Sequence, residues 1–221
     1  MEQMLAMAYP ELRFETVEDG MSGSTVKHGF QNRINAQFLR PYKKKKKRGV
    51  EEEEEEEERF DWAVVLGGTN DIGMGFPPEE IFESLKQVWD IALLHKCKVL
   101  ALTVPECGVK GKIRERIDAQ RNILNDLIKN HKAEGFHVYD LHASIPYFSM
   151  SAKDRERYWD DHLHFTPDGY DMIGNKVGIA LVTAEEEEDI QGDDTKFEEE
   201  EDGDPSLIEQ GWVVVRKKDL E

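Results

Sequence analysis

The chain has 221 residues and a formal net charge of −18, with 47 Asp and Glu against 29 Lys and Arg. That length suits one α/β domain with a substantial core, and the acidic balance argues against a nucleic-acid partner. No apolar run approaches the roughly 20 residues needed to span a bilayer, and no secretory signal is visible. The two cysteines, Cys97 and Cys107, make neither a disulfide framework nor a zinc spacing, which fits a reducing, cytoplasmic setting.

In chain order, residues 1–9 have the spacing of an amphipathic helix with Met4, Leu5 and Ala8 on one face, stopped by Pro10. Residues 12–17 alternate and predict a short strand. A Gly/Ser turn follows at residues 20–25, then helical spacing over 26–39 at Val26, Phe30, Ile34 and Phe38. Residues 43–58 hold six bases and then eight glutamates. Like-charge blocks cannot bury apolar surface, so this stretch is expected to be a disordered insertion. The glutamates neutralise the field of the basic run, which weighs against a nucleic-acid or nuclear-signal role.

Residues 60–66 form an apolar run interrupted by Asp61, the signature of a strand covered on both faces. Pro77-Pro78-Glu79-Glu80 opens a helix expected to reach about residue 95, with Ile81, Leu85, Val88, Ile91 and Ala92 inward. Strands are expected at 98–104 and 136–141, and helices at 113–133 and 168–182. In the helix over 113–133 the apolar positions are Ile117, Ile123, Leu124, Leu127 and Ile128. Strands alternating with helices imply a mostly parallel sheet covered on both faces. Ligands bind such sheets beyond the carboxyl ends of the strands.

The domain is expected to span residues 1–184, leaving residues 185–221 as an acidic, largely disordered tail with 16 acids and four bases. That tail has one apolar patch at 212–215, either an extra strand or a tag for a protein partner.

Two short motifs fall at predicted strand ends. Gly68-Thr69-Asn70-Asp71 follows the apolar run of 62–66, and Asp161-His162-Leu163-His164 precedes the helix opened by Thr166-Pro167. The three-residue spacing lets the Asp161 carboxylate reach the His164 ring and fix its tautomer. Alternatively, both residues cap the last helix. His162 competes as a base but lacks that spacing from Asp161. Asn70, after a double glycine, offers a neutral amide donor suited to a developing oxyanion; equally, an Asn-Asp pair is a common turn or cap. Gly23 could supply a backbone N–H to the same oxygen.

In this order, the two motifs together with Met21-Ser22-Gly23-Ser24-Thr25 resemble the SGNH/GDSL hydrolase family of esterases and lipases over roughly residues 1–184. The resemblance implies a three-layer α/β/α fold with a flavodoxin-like, mostly parallel sheet of order 2-1-3-4-5. It implies Asp161 and His164 as triad members, and Gly23 and Asn70 as oxyanion donors. It implies no metal or organic cofactor and a small-molecule ester as substrate.

The family's nucleophile is the serine of a Gly-Asp-Ser motif after the first strand, and no Gly-Asp-Ser occurs in these 221 residues. Ser22 and Ser24 lie near the expected crevice but not on the expected turn. The chain therefore reads as an N-terminally truncated member, nearly inert as it stands. The alternative is a non-catalytic member that binds a ligand or protein partner. Lack of the first strand would leave a gap beside the strand at 60–66. Either an inward shift of the strand at 12–17 or the segment around Trp212 would have to fill it.

Overall fold

A computed structural model describes residues 1–39, 60–192 and 214–219 of the chain. Its elements are α1 (Glu2–Ala8), β1 (Leu12–Val17), α2 (Phe30–Phe38), β2 (Trp62–Val65), α3 (Thr69–Met74), α4 (Pro78–Leu94), β3 (Lys98–Leu102), α5 (Gly111–Asn130), β4 (Phe136–Tyr139), α6 (Leu141–Ser144), α7 (Ala152–Tyr158), α8 (Pro167–Gly192) and β5 (Val214–Asp219). The charged stretch expected over 43–58 lies outside the described residues, as do residues 193–213 of the tail.

The five strands form one sheet in the order β1-β5-β2-β3-β4. β2, β3 and β4 are mutually parallel, with Trp62 opposite Lys98 and Val99 opposite Phe136. β5 runs antiparallel to both of its neighbours, so β1 shares the direction of β2. Six residues of β5 pair with β1 and two, Val214 and Val215, with β2. The tail strand thus occupies the slot that the expected order left vacant, and β1 has not moved inward.

Why the sheet is buried on both faces is legible in β2. All four of its residues are buried. Trp62 and Val64 face a layer built from α1 and α8, where Leu5, Met172, Ile173, Val177 and Leu181 pack. Ala63 and Val65 face the opposite layer, with Ile81, Leu85, Trp89, Leu124 and Ile128 from α4 and α5. Period-2 alternation into two apolar layers needs an unbroken hydrophobic run, as residues 62–66 have. The arrangement is a three-layer α/β/α fold.

Several boundaries differ from the periodicity. The helix expected over 26–39 begins only at Phe30, because Gly29 adopts φ 136° and breaks the backbone there. Residues 69–74, to which the periodicity assigns no element, form the short helix α3. Ile123 on α5 is exposed, while Arg121 and Asn125 of the same helix are buried. α8 continues past the expected boundary at 184 to Gly192. Glu185 is structural there: it accepts from Trp62 Nε1 at 2.5 Å and pairs with Lys98 Nζ at 3.2 Å, tying α8 to the starts of β2 and β3. Among the described residues no helix is long and apolar enough to cross a membrane.

Candidate active site

The carboxyl ends of parallel strands lie on one edge of a sheet, and the loops that leave them form its rim. Three such loops and one neighbour matter here. β1 leads into the turn at 20–25, β2 into Gly67-Gly68 and α3, β3 into the loop 103–110, and residues 159–165 lie against that last loop.

Gly68 opens α3 with φ 110°, a left-handed conformation that favours glycine. A side chain there would also meet Leu124 and Val104, so the β2 and β3 loops are in contact. Two residues on, Asn70 Nδ2 donates to the Ser24 carbonyl at 2.8 Å. The next residue, Asp71, is fully buried and accepts from the backbone N–H groups of Val26 at 2.9 Å and Lys27 at 3.2 Å. Successive side chains of α3 therefore hold the turn that contains Gly23, whose φ is 72°. Asn70 spends one of its two amide hydrogens on that anchorage, and no bond from the second is found among the described residues. Gly23 and Asn70 are thereby brought to one corner of the rim.

Asp161 and His164 meet directly. Asp161 Oδ2 lies 2.8 Å from His164 Nδ1, and Oδ1 accepts from the backbone N–H groups of Leu163 at 2.6 Å and His164 at 2.7 Å. The side-chain bond from His164, followed by these backbone bonds, holds the Asp161 carboxyl well below the usual carboxylate range. An ionised carboxylate can only accept, so Nδ1 must carry the ring hydrogen. In the neutral imidazole Nε2 is then the free base, and it has no hydrogen-bond partner among the described residues. The helix-cap alternative is not the arrangement found. α8 is capped by Thr166, whose Oγ1 accepts from the Gly169 N–H at 3.1 Å, and Asp161 bonds within its own loop.

The remaining members of the neighbourhood were not legible as site residues. Tyr147 is buried and its hydroxyl lies 2.8 Å from His162 Nδ1, so that nitrogen is engaged outside the Asp161–His164 pair. Gly108 N–H donates to the His162 carbonyl at 2.6 Å, joining the β3 loop to the Asp161–His164 loop. Through these links the Asn70 corner and the His164 loop stand on the same edge of the sheet. Close by, Asn125 of α5 fixes the foot of the β3 loop, accepting from Val104 N–H at 2.7 Å and donating to its carbonyl at 2.9 Å. No sequence periodicity marks these partners, although an Asn on an otherwise apolar helical face was a usable signal.

Residues 1–172 match the model of the GDSL-like lipase/acylhydrolase family. Among solved structures, the chain is similar to a GDSL-like lipase from Bacteroides thetaiotaomicron at 20% identity, covering 58% of this chain and 63% of that one, with a TM-score of 0.43. It is similar to a variant of an acetyl-xylooligosaccharide esterase from Geobacillus at 17% identity, covering 84% and 77%, with a TM-score of 0.47. A third similar structure is AlinE4, an SGNH-hydrolase family esterase, at 16% identity, covering 80% and 75%, with a TM-score of 0.38. The chain thus spans less than two thirds of the length of the Bacteroides protein. A comparison with curated protein sequences gives no match.

Proposed function

Because the chain belongs to the GDSL-like lipase/acylhydrolase family, we propose that its rim is the acid–base and oxyanion half of an ester-hydrolysing site. In this reading His164 Nε2 takes the proton from an attacking hydroxyl as its oxygen bonds to the ester carbonyl carbon. The same nitrogen returns the proton to the departing alkoxide. Asp161 orients the ring and balances its transient positive charge. The N–H of Gly23 and the free amide hydrogen of Asn70 receive the carbonyl oxygen as it becomes negative. The substrate is a small-molecule ester of an acetyl or other acyl group. The single observation that carries the reading is the 2.8 Å contact between an ionised Asp161 and His164 Nδ1, which leaves Nε2 as a base.

The 221 residues contain no Gly-Asp-Ser, and we take their own turnover to be close to the uncatalysed rate, since losing a triad member costs orders of magnitude. Aryl-acetate hydrolysis by the chain, by H164A and by N70A tests both parts. Rates near background in all three are expected. Turnover that H164A abolishes would support the site and overturn the inertness, because a nucleophile would then exist within the chain. Turnover indifferent to both substitutions would sink the hydrolase reading. The lack of Gly-Asp-Ser also favours a second reading, a non-catalytic relative that keeps the Gly23–Asn70 corner to bind a ligand. Saturable binding of an ester that N70A weakens, without hydrolysis, would support it.

A further inference from the structure

His162 sits between the two residues of the proposed pair, and the hydrolase reading gives it no task. The side chains of Asp161 and His164 are 53% and 61% exposed, so packing does not fix the direction of their loop. The loop closes on itself: Asp160 N–H donates to the His164 carbonyl at 3.0 Å, Trp159 and Phe165 pair across its neck, and all three bonds of Asp161 are internal. Among the described residues, both hydrogen bonds that join residues 160–164 to the rest of the protein belong to His162. Its ring meets the Tyr147 hydroxyl at 2.8 Å, and its carbonyl receives the Gly108 N–H at 2.6 Å.

The far ends of those bonds are rigid. The Tyr147 ring packs edge-on against Trp159 with centroids 5.0 Å apart, and its carbonyl accepts from Arg155 Nε at 2.8 Å. Arg155 Nη2 also donates to the Met150 carbonyl at 2.9 Å, holding the segment on both sides of Phe148. At Gly108 a Cβ would stand 2.5 Å from the Tyr147 hydroxyl and 2.8 Å from His162 Nδ1, so the three groups meet with no room for a side chain.

We infer that His162 is the positioning residue of this site, a two-point anchor that clamps the tip of the Asp161–His164 loop onto Tyr147 and the β3 loop. The inference rests on the proposed roles of Asp161 and His164. Its chemistry is that of a ring nitrogen sharing one hydrogen bond with a phenol, which a carboxamide at the same place reproduces.

NMR of the full chain tests it, following the acid titration of the Asp161 carboxyl and the ring order of His164 in H162A, H162N, Y147F and H164A. In H162A the loop loses its outside hold and its internal bonds fray, so the Asp161 midpoint is expected to rise, with loss of His164 ring order. H162N is expected to restore both, and Y147F, which removes one oxygen, to reproduce part of the H162A change. Unchanged midpoint and ring order in folded H162A overturn the inference. If H162A does not fold, the same null result in Y147F overturns it. H164A separates the two readings: no shift there means the Asp161–His164 pair itself is wrong, whereas a shift in H164A without one in H162A or Y147F removes only the anchor.

Discussion

Asp161 shows how an exposed residue can still be strongly perturbed, because three hydrogen bonds inside a five-residue loop all favour its ionised form. Its folded-state value lies below the ordinary one, so its contribution to stability is complete above the unfolded value of about 4 and fades as pH falls below that. The difference in melting temperature between the protein and D161N should therefore be flat from about pH 5 to 8 and shrink in more acidic buffer; a difference that grows on acidification would contradict the bonding described. Asp71 acts differently. It is buried, and its oxygens serve two backbone N–H groups of the turn after β1. D71A leaves both amides without a partner and should cost roughly 1–3 kcal/mol in urea unfolding, with line broadening confined to residues 20–28. The pairing of Asp161 with His164 was legible because it is local, three residues apart. The duty of Asp71 was not, because its partners lie 45 and 44 residues upstream, and an Asp in a first helical turn reads as a cap.

At the level of elements, apolar spacing located the strands and most helices, and missed wherever a polar side chain had a backbone to serve. α5 is the clearest case. Its periodicity points Leu124 and Ile128 inward correctly, yet Asn125 is as buried as they are while Ile123 is exposed. The reason is the two bonds from Asn125 to Val104, which replace a strand partner just where β3 ends. N125L, near in size but unable to bond, should lower stability by about 2 kcal/mol and raise amide exchange at Val104, measured by hydrogen exchange. Retained protection at Val104 would show that the loop is held by other means. The end of α8 was missed for a related reason. A run of glutamates reads as solvated tail, but Glu185 is only 12% exposed and bridges Trp62 and Lys98. Composition describes the run as a whole, and one member of it is bonded to the sheet.

For the whole molecule the decisive feature is β5. The expected sheet order has a strand between β1 and β2, and a gap at that place would strand backbone donors and acceptors in the middle of a sheet. Filling it with a segment that follows α8 dictates the direction of that segment. Glu185 lies at the starts of β2 and β3, so α8 comes down to the amino edge of the sheet. Val214 stands opposite Val17, at the carboxyl edge, and Asp219 opposite Leu12. With α8 ending at one edge and β5 starting at the other, β5 runs antiparallel to both of its neighbours. Sequence alone could flag the apolar patch but not its register, since pairing partners some two hundred residues apart leave no local trace. Removing residues 193–221 should strip β1 of all six partners and β2 of two, a loss on the order of several kcal/mol at about 0.5–1.5 per backbone bond. The expected outcome is a lower melting temperature together with concentration-dependent self-association through the opened edges, followed by calorimetry and light scattering. A synthetic peptide of residues 212–221 added in trans should reverse both effects, because the slot needs only a strand. A truncated chain that melts unchanged and stays monomeric would mean that β5 carries none of the sheet's stability, and that the gap is closed in some other way.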